Sequence, residues 1–201
     1  MNRFIAIAVT AGLVAGCSAI RPGDPTSKAA DLRVMTFNIR YETANDGEDH
    51  WKHRREMVFQ VLRDHEPDVL GLQEALGFQI NEMHEAVPGY GEIAVGRDDG
   101  KDAGETAAIL YRPARLEVDA HGTFWLSDTP EVPGSKHWGN TITRICTWAR
   151  LHDRRTGAHF YVFNAHLDHR SQPARERGAE LIAQRINQRP HGDPILLMGD
   201  F

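Results

Sequence analysis

The chain has 201 residues, 41% of them hydrophobic and 25% charged, and a formal net charge of -5. That length and mix fit one globular domain plus a leader, and they exclude a disordered or collagen-like chain. The acidic balance argues against tight, sequence-blind nucleic-acid binding, which draws most of its affinity from phosphate neutralisation, so no stable nucleic-acid complex is expected. A nuclease stays open, because a bound cation can supply local positive charge.

The first segment reads as a leader rather than part of a fold. Arg3 gives a positive start, and Phe4 to Ala15 is apolar but too short for an ordinary membrane span. The run closes on Leu13-Val14-Ala15-Gly16-Cys17. This is similar to a bacterial lipoprotein signal, which makes Cys17 the expected acylated residue, although a plain secretory signal carries the same features. Residues 1–17 are therefore expected to be the signal, 18–31 a flexible tether and 32–201 the domain. The implied partner is a membrane, held through an acyl anchor at the cell envelope. Cys146, the second of two cysteines, is left without an intramolecular partner and is expected to be a buried small hydrophobe.

Alternation and punctuation predict a strand over 32–39 and a helix over 54–65 with Val58, Val61, Leu62 and His65 inward, stopped by Pro67. A buried strand follows at 69–72, then a helix over 75–86 ended by Pro88-Gly89. Strands at 90–96 and 106–112 flank a charged, glycine-rich loop from Asp98 to Glu105. Further strands are predicted at 116–126, 143–152 and 160–163, with a polar helix over 172–188 and a last strand over 194–198.

The two halves echo each other. Each runs strand, helix, strand, with Phe-Asn closing the first strand (Asn38, Asn164) and a carboxylate following the second (Glu74, Asp200). The pattern predicts two packed sheets with helices outside and polar strand ends converging at one edge.

Polar residues at the ends of apolar strands are the candidates for chemistry, because unpaired burial is costly. Asn38 offers a neutral hard oxygen; as a strand-end residue it also suits a turn. Glu74 suits a Mg²⁺ that keeps most of its waters, or else a helix N-terminal acid. Strand alternation places Asn164, His166 and Asp168 on one face, where an imidazole titrating near neutrality can stabilise or protonate a phosphoryl oxygen. Asp200 can orient or deprotonate a water, with Gly199 letting the backbone turn before it. Arg144 opens an apolar strand, where it can grip a phosphate bidentately or simply face solvent. A zinc site on His166 and His169 is a further possibility, without an obvious third ligand.

Four segments in order, Met35-Thr36-Phe37-Asn38-Ile39-Arg40, Leu72-Gln73-Glu74, Asn164-Ala165-His166-Leu167-Asp168 and Met198-Gly199-Asp200-Phe201, resemble the successive motifs of the endonuclease/exonuclease/phosphatase superfamily. The stretches Phe124-Trp125-Leu126-Ser127, Pro133-Gly134-Ser135-Lys136 and Thr147-Trp148-Ala149 resemble a bacterial secreted branch of it. The resemblance implies an α/β fold, a four-layer α/β sandwich of two mixed sheets with helices outside, and a Mg²⁺ or Mn²⁺ cofactor. It implies Glu74 as principal metal ligand with Asn38 nearby, His166 on the scissile phosphate, Asp200 on the attacking water, and Asn164 supporting His166 or the substrate.

The implied reaction is in-line hydrolysis of a phosphoester of unspecified identity. The resemblance also implies an asparagine after the Gly-Asp pair and a later aspartate–histidine pair. On that ground the domain is expected to be incomplete on its C-terminal side, and the chain alone poorly active and prone to aggregate. The alternative function is a non-catalytic envelope lipoprotein that keeps the fold and binds a ligand.

Overall fold

A computed structural model describes residues 31–201. The expected signal, Cys17 and the expected tether up to residue 30 lie outside the described residues.

The first sheet is built from β1 (Val34–Asn38), β2 (Val69–Gln73), β3 (Gly91–Ile93) and β4 (Ile109–Tyr111), in the order β1-β2-β4-β3. The second contains β5 (Leu116–Trp125), β6 (Ile145–Asp153), β7 (His159–His166) and β8 (Ile195–Asp200), in chain order. Each sheet holds one parallel pair, β1 with β2 and β7 with β8, and the remaining pairs are antiparallel. Parallel neighbours need a crossover, and helices supply both: α1 (Trp51–His65) links β1 to β2, and α3 (Gln172–Asn187) links β7 to β8. A third helix, α2 (Gly77–Ala86), follows β2.

Apolar contacts define four layers. Trp51, Val58, Phe59 and Leu62 of α1, with Ile80 and Met83 of α2, pack on Leu70, Leu72 and Leu110 of the first sheet. Val69 and Ile109 meet Ala149, Leu151, Val162 and Met198 between the sheets. Ile182 and Ile186 of α3 cover Cys146, Tyr161 and Phe163 on the far face of the second sheet. The expected two-sheet sandwich with outer helices is thus the observed one. Cys146 is fully buried, and burial pushes its thiol pKa up, as fits an inert core residue.

Three local expectations need correction. α1 begins three residues early, because His50 Nδ1 accepts from the Lys52 N–H (3.4 Å) and the buried Trp51 anchors the first turn. His65, expected inward, is exposed, and Phe59 takes a core position instead. Gly199 does not turn the chain tightly. It stays in β8 opposite Ala165, where an added Cβ would stand 2.4 Å from the Ala165 carbonyl oxygen.

Gly71 serves the sheet-to-sheet contact. A Cβ there would lie 2.8 Å from Met198 Cε and 2.9 Å from Asn164 Cγ. Only a bare backbone lets β2 approach the second sheet so closely.

Candidate active site

Four polar groups meet where strands end. Asn38 closes β1, Glu74 follows β2, and His166 and Asp200 are register partners at the ends of β7 and β8. The backbone turns at Glu74 with φ 61°, and at Arg40 with φ 59°. Both are non-glycine residues in the left-handed region, and both border the same cleft. Such strain tends to persist where function over-determines it.

Ligand atoms of Glu74, His166 and Asp200 lie within 4.8 Å of one another. Asn38 Nδ2 donates to Glu74 Oε1 (3.0 Å) and to Asp200 Oδ2 (2.8 Å). Its Oδ1 accepts from the Arg40 N–H (2.9 Å), so Asn38 spaces the two carboxylates; a direct bond from Asn38 to a metal needs its amide turned over. The Tyr41 N–H steadies Glu74 Oε2 (3.3 Å). Two carboxylates from different sheets therefore converge on one NH₂ group. This hard-oxygen pair, with an imidazole beside it, has the donor chemistry of a Mg²⁺ or Mn²⁺ site.

His166 is not poised near neutrality as the sequence implied. Burial, and next the Arg144 charge, push its pKa down to about 4, against the opposing pull of Glu74 and Asp200. A neutral imidazole results, able to hydrogen-bond a phosphoryl oxygen or ligate a cation, but not to act as a resident acid at pH 7.

The cleft has a volume of about 810 Å³, and arginines 40, 97, 144, 170 and 175 contribute to its walls. Arg144 is not a surface residue: it is 4% exposed, with Nη2 2.9 Å from His169 Nδ1 and Nε 3.6 Å from Asp168 Oδ2. That contact engages His169 Nδ1 with Arg144, and the metal-competent group among the described residues joins His166 to Glu74 and Asp200, not to His169.

Asp168 and Asn164 are placed differently from expectation. β7 stops at His166, so the predicted alternation does not carry on to Asp168. Asp168 is 3% exposed, and its Oδ1 accepts from the Arg170 (2.9 Å) and Ser171 (2.7 Å) N–H groups at the start of α3. Against the cost of burial, those N–H groups and then Arg144 hold its carboxyl below the usual range. Its Oδ2 stands 3.6 Å from Arg144 Nε, and the residue lines the cleft. Asn164 is fully buried; its Nδ2 donates to the Leu72 and Ala108 carbonyls (2.8 Å each), and its Oδ1 accepts from Gln73 Nε2 (2.6 Å). It bridges the two sheets beneath the site.

Sequence reasoning missed the Arg97–Glu105 pair, which is bidentate at 2.7 Å on both arms. Burial, countered by Arg97, raises the Glu105 pKa. The two residues flank the glycine-rich loop, and the bridge of Ala75 to Thr106 draws that loop beside Glu74. Loop residues carry no periodic signal; an arginine and a glutamate bracketing the loop were the faint one available.

The profile of the Endonuclease/Exonuclease/phosphatase family matches residues 35–201. The crystal structure of an endonuclease/exonuclease/phosphatase from Bacteroides vulgatus is 41% identical, with a TM-score of 0.82 over 86% of this chain and 66% of that one. A mannosyl-6-phosphatase from Bacteroides thetaiotaomicron VPI-5482 is 40% identical, with a TM-score of 0.81 over 85% of this chain and 65% of that one. Nocturnin of Drosophila melanogaster is 27% identical over 207 residues, which cover 92% of this chain and 30% of that protein. The chain spans less than two thirds of the length of these relatives.

Proposed function

The chain belongs to the Endonuclease/Exonuclease/phosphatase family, and on that premise we propose that its cleft hydrolyses a phosphoester with a divalent cation, Mg²⁺ or Mn²⁺, as cofactor. The observation that carries this reading is the meeting of Glu74 and Asp200 on the single NH₂ of Asn38. Two carboxylates so close repel each other, and one amide offsets little of that; a cation between them relieves it. Glu74 and Asp200 would hold the ion, with His166 beside them. When bound, the ion stabilises charge on phosphoryl oxygens and makes a coordinated water more acidic.

The chain's own groups do the rest. Asp200, at a strand end and exposed, accepts a hydrogen bond from the attacking water and orients it, the proton passing to bulk solvent. Neutral His166 donates to a phosphoryl oxygen and keeps its place through its partly buried position beside Asp200. Arg144 adds positive charge where the transferring phosphoryl group gains negative charge. The 40%-identical relative is a mannosyl-6-phosphatase, which supports phosphoester hydrolysis as the reaction.

The cell envelope is the proposed location, with Cys17 acylated; its support is the sequence pattern ending at that residue. No helix among the described residues is long and apolar enough to cross a membrane. The test of the enzymatic reading is hydrolysis of p-nitrophenyl phosphate and bis(p-nitrophenyl) phosphate by metal-stripped protein. Activity that is absent after EDTA and restored by Mg²⁺ or Mn²⁺ supports it; turnover that is indifferent to EDTA contradicts it.

A further inference from the structure

We propose that Arg144 makes this cleft a receptor for the doubly charged phosphate of a phosphomonoester, in preference to the singly charged phosphate of a diester. The inference rests on the reading of the cleft as a phosphoester site and narrows its substrate class.

The guanidinium is buried yet incompletely engaged. Nη2 is taken by His169, and Nε has Asp168 at ion-pair but not hydrogen-bond distance (3.6 Å). Among the described residues, Nη1 has no hydrogen-bond partner at all. A buried N–H without an acceptor is costly, and more so on a charged group. Arg144 borders the cleft along with His166 and Asp200, so a bound anion that draws the guanidinium forward can supply the missing acceptor.

The cleft lining also carries five arginines against four carboxylates. Asp168, the counter-ion of Arg144, is already shared with two backbone N–H groups. Arg97 stands near enough that burial first, and its charge next, hold the Arg144 guanidinium below its ordinary range. Arg97 Nε is a second buried N–H without a partner, although its two terminal nitrogens belong to Glu105. An anion at Arg144 relieves both the empty donor and the repulsion.

Charge counting then selects the ester. Glu74 and Asp200 together offset a divalent cation, so the phosphate's own charge must be met by the protein. A diester brings one negative charge and two free oxygens, and the cation and His166 can occupy both oxygens. A monoester brings a second charge and a third free oxygen. Arg144 offers a fixed cationic N–H to each surplus, held in place by His169 and Asp168.

The test uses the Mg²⁺-loaded full chain with p-nitrophenyl phosphate and bis(p-nitrophenyl) phosphate, comparing wild type, Arg144→Met and Arg144→Lys. The monoester-to-diester ratio of kcat/KM is expected to fall roughly 10- to 100-fold in Arg144→Met, the range for losing charge-assisted hydrogen bonds, and to recover partly in Arg144→Lys. A ratio unchanged within about threefold, or a wild type that prefers the diester, overturns the proposal.

Calorimetry with inorganic phosphate and dimethyl phosphate provides a readout that needs no turnover. Phosphate binding lost in Arg144→Met, in protein that turns over neither ester, would leave this inference standing and sink the enzymatic one. Phosphate binding unchanged by the substitution, alongside normal turnover, does the reverse. If Arg144→Met fails to fold by circular dichroism, the same comparisons are made on Arg144→Lys.

Discussion

Gln73 and Asn164, 91 residues apart in the chain, are joined amide to amide at 2.6 Å across the two sheets. Gln73 immediately precedes Glu74, and Asn164 lies two residues before His166 on β7. The same buried contact that locks the sandwich therefore sets the spacing of the site above it.

Asn164→Ala removes three hydrogen bonds at once, while Gln73 Nε2 keeps the Thr36 hydroxyl (3.1 Å) and the Gly71 carbonyl (3.3 Å). It should lower unfolding free energy by about 3 kcal/mol, because each buried hydrogen bond contributes roughly 1 kcal/mol. Chemical denaturation checks this. A loss near that of an exposed substitution would mean that Asn164 is not the bridge described here.

Gly71→Ala pushes a methyl group against Met198 and the Asn164 amide. Overpacking of this kind costs about 1–3 kcal/mol. The thermal midpoint should drop, and adding Met198→Ala should restore only part of it, since Asn164 remains in the way. Full recovery would point to the methionine alone.

His166 gives the metal-free protein an acid sensitivity with a defined sign. Its folded pKa of about 4 lies below the ordinary 6.5, so the unfolded chain binds the proton more readily. The stability that depends on neutral His166 is complete above pH 6.5 and is lost progressively as pH falls from 6.5 toward 4. Denaturation midpoints measured across that window should decline less steeply in His166→Gln than in wild type. Parallel declines would assign the acid sensitivity to other groups.

Glu74 and Asp200 are predicted to trade stability for metal binding. Without divalent cations, Asp200→Asn should match or slightly exceed wild-type stability, by about 0.5 kcal/mol, the scale of interactions between partly exposed charges. Mn²⁺ should then raise the thermal midpoint of wild type and leave the variant nearly unmoved. Equal shifts in both would place the ion elsewhere.

Much of the fold was legible because its signals are local. The apolar run of β2, the Pro67 stop, the Pro88-Gly89 break and the polar α3 each follow from spacing and punctuation. The convergence of Glu74, His166 and Asp200 was legible too, because each sits where an apolar strand ends. Other features depend on partners far away in sequence. Asn164 looked like a site residue since nothing near it discloses Gln73, Leu72 and Ala108 as its partners. Asp168 was misplaced because strand alternation was carried two residues beyond the end of β7. His169 and Arg97 gave no periodic signal, and only the folded cleft reveals what they hold.

The most direct test of the central claim is the Mg²⁺-dependent turnover of p-nitrophenyl phosphate by wild type and Glu74→Ala, with circular dichroism confirming equal folding. The variant is expected to lose kcat/KM by roughly 100-fold or more, as follows from removal of a charge-stabilising group. A folded Glu74→Ala protein that retains wild-type, Mg²⁺-dependent turnover would contradict it.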